Sequence, residues 1–206
     1  MYERLKMLYC NIMGYVYVPS IVKNIKEETL LHISDTPVLF YNVLRRLLKE
    51  LSPSIIIHTG DLVDNIKLEI YKGQLSRYEY HLKSLMHILE ASDAKDIYIC
   101  TGNHDDQDLM RKYSKRSIII EESLSIEIFN ATATLSHFPY KTMESPADYN
   151  FFGHDISLGN DMINNKAYLN GIQSINILTN ETKRLFYLSY PHGINDERLM
   201  KRKIGL

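Results

Sequence analysis

The sequence contains no tryptophan and only two cysteines, Cys10 and Cys100. Two thiols cannot build a disulfide framework, and Cys100 ends an apolar, strand-like run, so both read as reduced thiols of a cytoplasmic protein. An excess of one charge is also missing: 24 Lys and Arg face 25 Asp and Glu. No global field therefore draws the chain to nucleic acid or to an anionic membrane. No apolar run reaches the roughly 18 residues a membrane span needs. Near the N-terminus Arg4 and Lys6 precede an apolar run at 8–16. Asn11 interrupts that run and no small-residue cleavage site follows, so no secretion signal is expected. What remains is a globular chain of 206 residues, 45% hydrophobic and 24% charged, a size that suits one domain.

What is present is concentrated between Ser54 and Asn65. Ile55, Ile56 and Ile57 make a short β-branched run, the mark of a strand buried on both faces. The run leaves through His58-Thr59-Gly60 and at once presents Asp61 and Asp64. Open α/β sheets place their ligands at such carboxyl ends of strands. Two further strand-like segments end the same way, 29–34 at Asp35 and 96–101 at Gly102-Asn103-His104-Asp105.

Between these strands Leu39, Phe40, Val43, Leu44, Leu47, Leu48 and Leu51 fall on one helical face, with Pro53 as the stop. Leu75, Tyr78, Leu82, Leu85, Met86 and Leu89 mark a second helix. The β-α-β-α-β order predicts a parallel sheet. After a short helix near 106–113, runs at 117–120, 124–129, 131–136, 175–178 and 185–190 alternate in polarity, which predicts antiparallel strands. Residues 1–28 are Tyr-rich and too apolar for a disordered tail. They are expected to pack on the 29–206 domain or on a neighbouring subunit, as a route to a homo-oligomer.

His137 and His154 complete a series that follows strand-like segments: Asp35, Asp61 with Asp64, Asn103-His104, His137, His154. Carboxylate, amide oxygen and imidazole in one site suit a divalent transition ion such as Mn, Fe or Zn. Gly60-Asp61-Leu62-Val63-Asp64, Gly102-Asn103-His104-Asp105, His137 and Gly153-His154 together resemble the calcineurin-like metallophosphoesterase superfamily, over about residues 29–156. The resemblance implies two packed mixed β-sheets flanked by helices, and hydrolysis of a phosphate ester by a metal-activated water. It implies that Asp61 bridges two metals, and that Asn103, His137 and His154 complete the second. It further implies that His104 steadies the phosphoryl group or protonates the leaving oxygen, with Asp64 orienting it.

Two positions depart from the pattern. Pro37 and Ile156 stand where the resemblance expects histidine ligands of the first metal, and neither can bind an ion. One tightly held metal is therefore expected, at Asp61, Asn103, His137 and His154, with a second weak or absent at Asp35 and a share of Asp61, which leaves Asp35 as a modest base. Asp35 alone would also suit an N-cap for the helix that follows. His32 and His58 read as core histidines, His81 and His87 as surface ones, and Asp155 as a poor substitute ligand. His192 is the spare histidine that could repair the first site. The expected partner is a small phosphorylated substrate. A retired phosphoesterase fold serving as a protein-binding scaffold is the rival reading. A nuclease is the third, resting on the basic clusters Arg111-Lys112, Lys115-Arg116 and Lys201-Arg202-Lys203.

Overall fold

The triple-isoleucine segment shows why the sheet must be covered twice. Alternate side chains of a strand leave on opposite faces. In the computed structural model, which describes residues 2–199, Ile56 enters a core against the helices while Ile57 enters a separate core against a second sheet.

In chain order, α1 (Tyr2–Ile12) and α2 (Ser20–Lys23) precede β1 (Thr29–Ile33), and α3 (Tyr41–Leu51) leads to β2 (Ile55–His58). Then come α4 (Leu75–Glu90), β3 (Asp96–Cys100), α5 (Gln107–Tyr113) and β4 (Ile118–Ile120). A hairpin of β5 (Ser123–Ile128) and β6 (Ala131–Ser136) is followed by α6 (Pro139–Glu144) and β7 (Tyr149–Phe152). The chain continues with β8 (Asp161–Ile163), β9 (Lys166–Asn170), β10 (Ile175–Thr179), β11 (Leu185–Leu188) and α7 (Ile194–Arg198).

The strands form two sheets, β11-β10-β1-β2-β3-β4 and β5-β6-β7-β9-β8. Both are mixed. β1 through β4 run parallel, and β10 closes against β1 antiparallel. Helices flank the pair of sheets, as the resemblance implies. The second half is not purely antiparallel, however: β4 joins β3, β7 joins β6 and β9 joins β7 in parallel. Alternation reports which face a strand buries and is silent on the direction of its neighbour.

The core divides accordingly. Leu31, Ile33, Ile56, Ile97 and Ile99 pack against Leu44, Leu47 and Leu48 of α3 and Tyr78, Leu82, Leu85 and Leu89 of α4. Leu30, Ile57 and Cys100 pack against Leu135, Phe151 and Leu169 of the second sheet. Leu39 is 53% exposed: it lies in the 3₁₀ turn Val38–Phe40, where helical spacing does not apply. α3 stops at Ser52, whose φ of 41° is left-handed, just before Pro53.

Of the N-terminal residues, Val18 and Val22 enter the helix-side core, with Val16 and Ile25 beside it. α1 leaves Leu5, Leu8, Tyr9 and Ile12 exposed. No helix among the described residues is long and apolar enough to cross a membrane.

Two histidines lie wholly inside. His32 bridges the Asn176 amide (3.0 Å) and the Thr59 hydroxyl (2.9 Å). His58 binds the Thr36 hydroxyl through Nε2 (2.8 Å) and accepts from the Gly60 N–H through Nδ1. Burial pushes both down to about 3. Each stays neutral when folded and protonates near pH 6.5 when unfolded, so the unfolded state binds more protons as pH falls. Stability is therefore fully present above about pH 6.5 and is lost towards pH 3, at about 1.4 kcal/mol per pH unit per histidine. Urea midpoints at pH 7 and pH 5 should fall less steeply in His32→Gln than in wild type. Equal slopes would rule out His32 as the source.

Candidate metal centre

The site grows from the carboxyl ends of β1, β2 and β3. Each strand breaks off where its last hydrogen bonds are taken over by the neighbouring loop. Thr59 N donates to Ile33 O, Asp35 N to Gly60 O and Thr36 N to Asp61 O (2.9–3.0 Å), which ties the first two loops together. Asp35, Asp61 and His154 all adopt left-handed backbone, with φ of 48°, 54° and 66°. Such conformations cost on the order of 1–3 kcal/mol each outside glycine and recur where a site dictates where a side chain must point. Glycine is needed beside them. A Cβ on Gly60 would lie 2.6 Å from His137 Nδ1, and one on Gly153 would lie 2.6 Å from Asp35 Oδ2.

Asp105 fixes the arrangement. Its Oδ2 accepts from the Asp61 and Gly102 N–H groups, and its Oδ1 from the Leu62 N–H and the Tyr78 hydroxyl, all at 2.8 Å. With the two loops clamped, His104 N donates to Asp61 Oδ1 at 3.0 Å, which leaves Oδ2 directed at His137.

Four electron-pair donors then converge. His137 Nδ1 lies 2.7 Å from the Thr59 carbonyl, which can only accept, so the ring carries its proton there and Nε2 offers a lone pair. Asn103 gives its amide N–H to Glu69 at 2.6 Å and turns Oδ1 inward. That oxygen is 3.0 Å from both His137 Nε2 and His154 Nδ1, and the two ring nitrogens are 3.2 Å apart. Asp61 Oδ2 is 3.6 Å from His137 Nε2. With the His154 proton on Nε2, four lone pairs face one point, and that donor set fits a metal ion. Asp35, Asp61 and His137 also offer ligand atoms within 4.8 Å of one another.

The sequence pattern that defines calcineurin-like phosphoesterases matches residues 28–196. The chain belongs to that family. Among solved structures it is similar to an archaeal phosphodiesterase, at 17% identity over 77% of this chain and 97% of that one, with a TM-score of 0.50. It is also similar to vacuolar protein sorting 29 of Cryptosporidium parvum (15% identity, 79% and 97% covered, TM-score 0.44). The zinc-complexed Vps29 of Entamoeba histolytica aligns at 17% identity over 76% and 88%, with a TM-score of 0.44. At 17% identity the likeness to the archaeal phosphodiesterase is one of fold. No curated protein sequence matches the chain.

Within this family member, the expected residues fall as follows. Asp61, Asn103, His137 and His154 meet in one place. Asp35 lies beside them, its Oδ2 accepting from the Ser34 hydroxyl and from His154 N. Asp64 is elsewhere engaged: its Oδ1 is paired with the Lys67 ammonium. The carboxylate at His104 is instead Glu69, with Oε2 3.6 Å from Nδ1. His192 is exposed, its backbone bonded to Asn11 O, and is not among the clustered ligands. Asp155 accepts from Ser157 within its own loop.

The basic clusters are engaged too. Arg111 pairs with Glu121, Lys112 with Glu79, and Arg116 donates to carbonyls at and beyond the end of α4, those of Glu90, Ser92 and Ala94. Lys201-Arg202-Lys203 lies outside the described residues.

Three further residues shape the centre. Lys67 stands three positions after Asp64 with no motif to flag it. Asp105 carried a signal in its place after Gly102-Asn103-His104. Arg198 gave none, yet it is buried and donates to the carbonyls of Ser34, Asp35 and Ile172 (2.7–2.9 Å), with its guanidinium 4.1 Å over Tyr190.

Burial raises the Asp61 pKa well above the usual carboxylate range, and Asp35, Asp105 and Asp64 raise it further against the pull of Lys67. Burial, then Asp35, pushes Asp64 up to about 7, opposed by Lys67 and Arg198. His104 is pushed down to about 4 by burial and then by Lys67, so its imidazole is neutral at pH 7.

The Asp105 clamp makes a prediction. An amide offers one acceptor oxygen where four donors converge, so Asp105→Asn should lower the unfolding free energy by about 1–3 kcal/mol. Metal affinity should fall about 10–100-fold, as it does when groups that orient ligands are removed. Tyr78→Phe should cost only about 1 kcal/mol. Urea unfolding with metal titration reads both. An Asp105→Asn protein with wild-type stability and metal affinity would exclude the clamp.

Proposed function

We propose that the chain is a metal-dependent phosphoesterase acting on a phosphate mono- or diester. The observation that carries this reading is the convergence of Asp61 Oδ2, Asn103 Oδ1, His137 Nε2 and His154 Nδ1, with His104 one residue from Asn103. Those four would hold a divalent transition ion, Mn, Fe or Zn, and the mix of oxygen and imidazole nitrogen suits any of them. Such an ion supplies Lewis acidity towards a phosphoryl oxygen and lowers the pKa of water.

The chain's own groups do the rest. Neutral His104 donates a hydrogen bond to a phosphoryl oxygen; it protonates the departing alkoxide only from its imidazolium form, which returns to neutral imidazole as the proton leaves. Asp35, held by Ser34 and His154 N, stands ready to accept a proton from the attacking water. Its site lacks nitrogen ligands at Pro37 and Ile156, so the first ion is bound weakly and one tight ion per chain is the resting state.

The engagement of Asp64 by Lys67 favours a second reading, a slow or retired catalyst whose fold serves as a protein-binding scaffold. Metal analysis beside turnover of an aryl phosphate and an aryl phosphodiester separates the two. A fully loaded protein that turns over neither ester is the scaffold.

Two variants test the residue roles. His104→Ala should lower kcat by about 10²–10⁴-fold with metal content unchanged. Asp61→Asn should abolish bound metal and activity together. Undiminished turnover by His104→Ala of an ester with a poor leaving group would remove His104 from the chemistry. Bound metal at wild-type stoichiometry in Asp61→Asn would remove that residue from the centre.

A further inference from the structure

The charges around Asp61 are unevenly distributed. Around it stand the uncharged donors Asn103, His137 and His154. Beside them stand the buried carboxylates Asp35 and Asp64, 4% and 1% exposed, and two side-chain cations. Arg198 faces the backbone of Ser34 and Asp35. Lys67 faces the carboxylates: its ammonium is paired with Asp64 Oδ1, and its side chain is only 14% exposed.

Lysine is rarely so buried unless its charge has a fixed task. Its backbone position is fixed as well. Ile66 and Leu68 on either side of it are core residues, 1% and 8% exposed. Its own carbonyl accepts from the N–H groups of Ile70 and Tyr71, at 3.0 and 2.8 Å. Asp64 N donates to the Thr36 carbonyl at 3.2 Å, which sets the Asp64–Lys67 pair beside the loop that carries Asp35, and the ammonium pulls the Asp61 and Asp64 carboxyls down. This is also the side on which Pro37 and Ile156 replace the histidines of a first ion.

We propose that Lys67 supplies there the positive charge a first metal would supply. Its ammonium neutralises the Asp35–Asp61–Asp64 carboxylates, with one N–H on Asp64, and offers its remaining donors to a non-bridging phosphoryl oxygen of the substrate. An ammonium has three donors, so one bond to Asp64 leaves two for the ligand. The assignment rests on the metal-centre reading above and adds a phosphate-binding residue to it.

Manganese and inorganic phosphate are the probes, with equilibrium dialysis and calorimetry as readouts that need no turnover. Wild type should bind one Mn²⁺ tightly per chain, and phosphate only when loaded. Lys67→Met leaves the carboxylates uncompensated, so its second Mn²⁺ should bind at least about tenfold more tightly than in wild type. Lys67→Arg should keep the wild-type stoichiometry.

The charge-balanced Asp64→Asn/Lys67→Met protein avoids a buried unpaired carboxylate, so it should fold even if Lys67→Met does not. It should bind one Mn²⁺ as wild type does, yet lose about tenfold in phosphate affinity. Wild-type phosphate affinity in that double variant, or an unchanged second Mn²⁺ affinity in a folded Lys67→Met, would overturn the role of Lys67 and leave the metal centre standing. Two tight Mn²⁺ in wild type would do the same. A wild-type chain that binds no Mn²⁺ would take down the metal-centre reading and this proposal with it.

Discussion

One carboxylate holds the functional edge of this protein together. β2 and β3 are parallel neighbours whose ladder stops at His58 and Ile99, and beyond that point the two loops have no strand pairing to fix their separation. Asp105 supplies the fixing, with backbone donors from Asp61, Leu62 and Gly102 and the Tyr78 hydroxyl from α4. The loops are thereby tied both to each other and to a helix in the core. The chemistry explains the residue. Only a carboxylate has enough lone pairs in one plane to receive four donors, and hydrogen bonds to a charged acceptor are stronger than neutral ones.

Charge compensation follows from that geometry. Bringing Asp61 to Asp35 and Asp64 in a buried pocket gathers negative charge where desolvation already opposes it. The protein answers in two ways. On the Asp64 side it places Lys67, and behind Asp35 the guanidinium of Arg198. On the His137 side it places neutral donors, Asn103 and two imidazoles, that leave a cation room to bind. A buried ion pair is weak evidence of stability in itself, so the position of Lys67 is better understood as a condition on what the pocket can bind.

Much of this was legible in residue order. The strand ends at Asp35, Asp61 and Asn103, the helices opposite them, and the family pattern could all be read from the chain, because apolar spacing and glycine-acid punctuation report local structure directly. Strand direction in the second sheet could not be read. β7 and β9, buried almost throughout and lying outside the alternating runs, pair in parallel through β6 and each other. The partner of Asp64 was equally hidden. A family pattern gives residue types at spacings, while Lys67 competes for that carboxylate through a loop whose path no periodicity encodes. Arg198 reaches Asp35 across 163 residues of sequence, and nothing local announces it.

The precision of the centre is also maintained from behind. His137 is oriented by the Thr59 carbonyl, Thr59 presents its hydroxyl to His32, and His32 receives the Asn176 amide. Asn176 and Ser174 in turn both bind Asn160. This chain of buried polar groups runs from the metal-facing ring to the loop before β8. Each member is satisfied only if the next keeps its place, and an unsatisfied group inside a protein costs more than a satisfied one gains. His154 is held differently, on an exposed loop whose shape depends on Asn170 donating to the carbonyls of Asp155 and Leu158. The two imidazoles that face each other thus stand on supports of unequal stiffness. His137 fixes one nitrogen in the core, while His154 stands on the more exposed of the two supports.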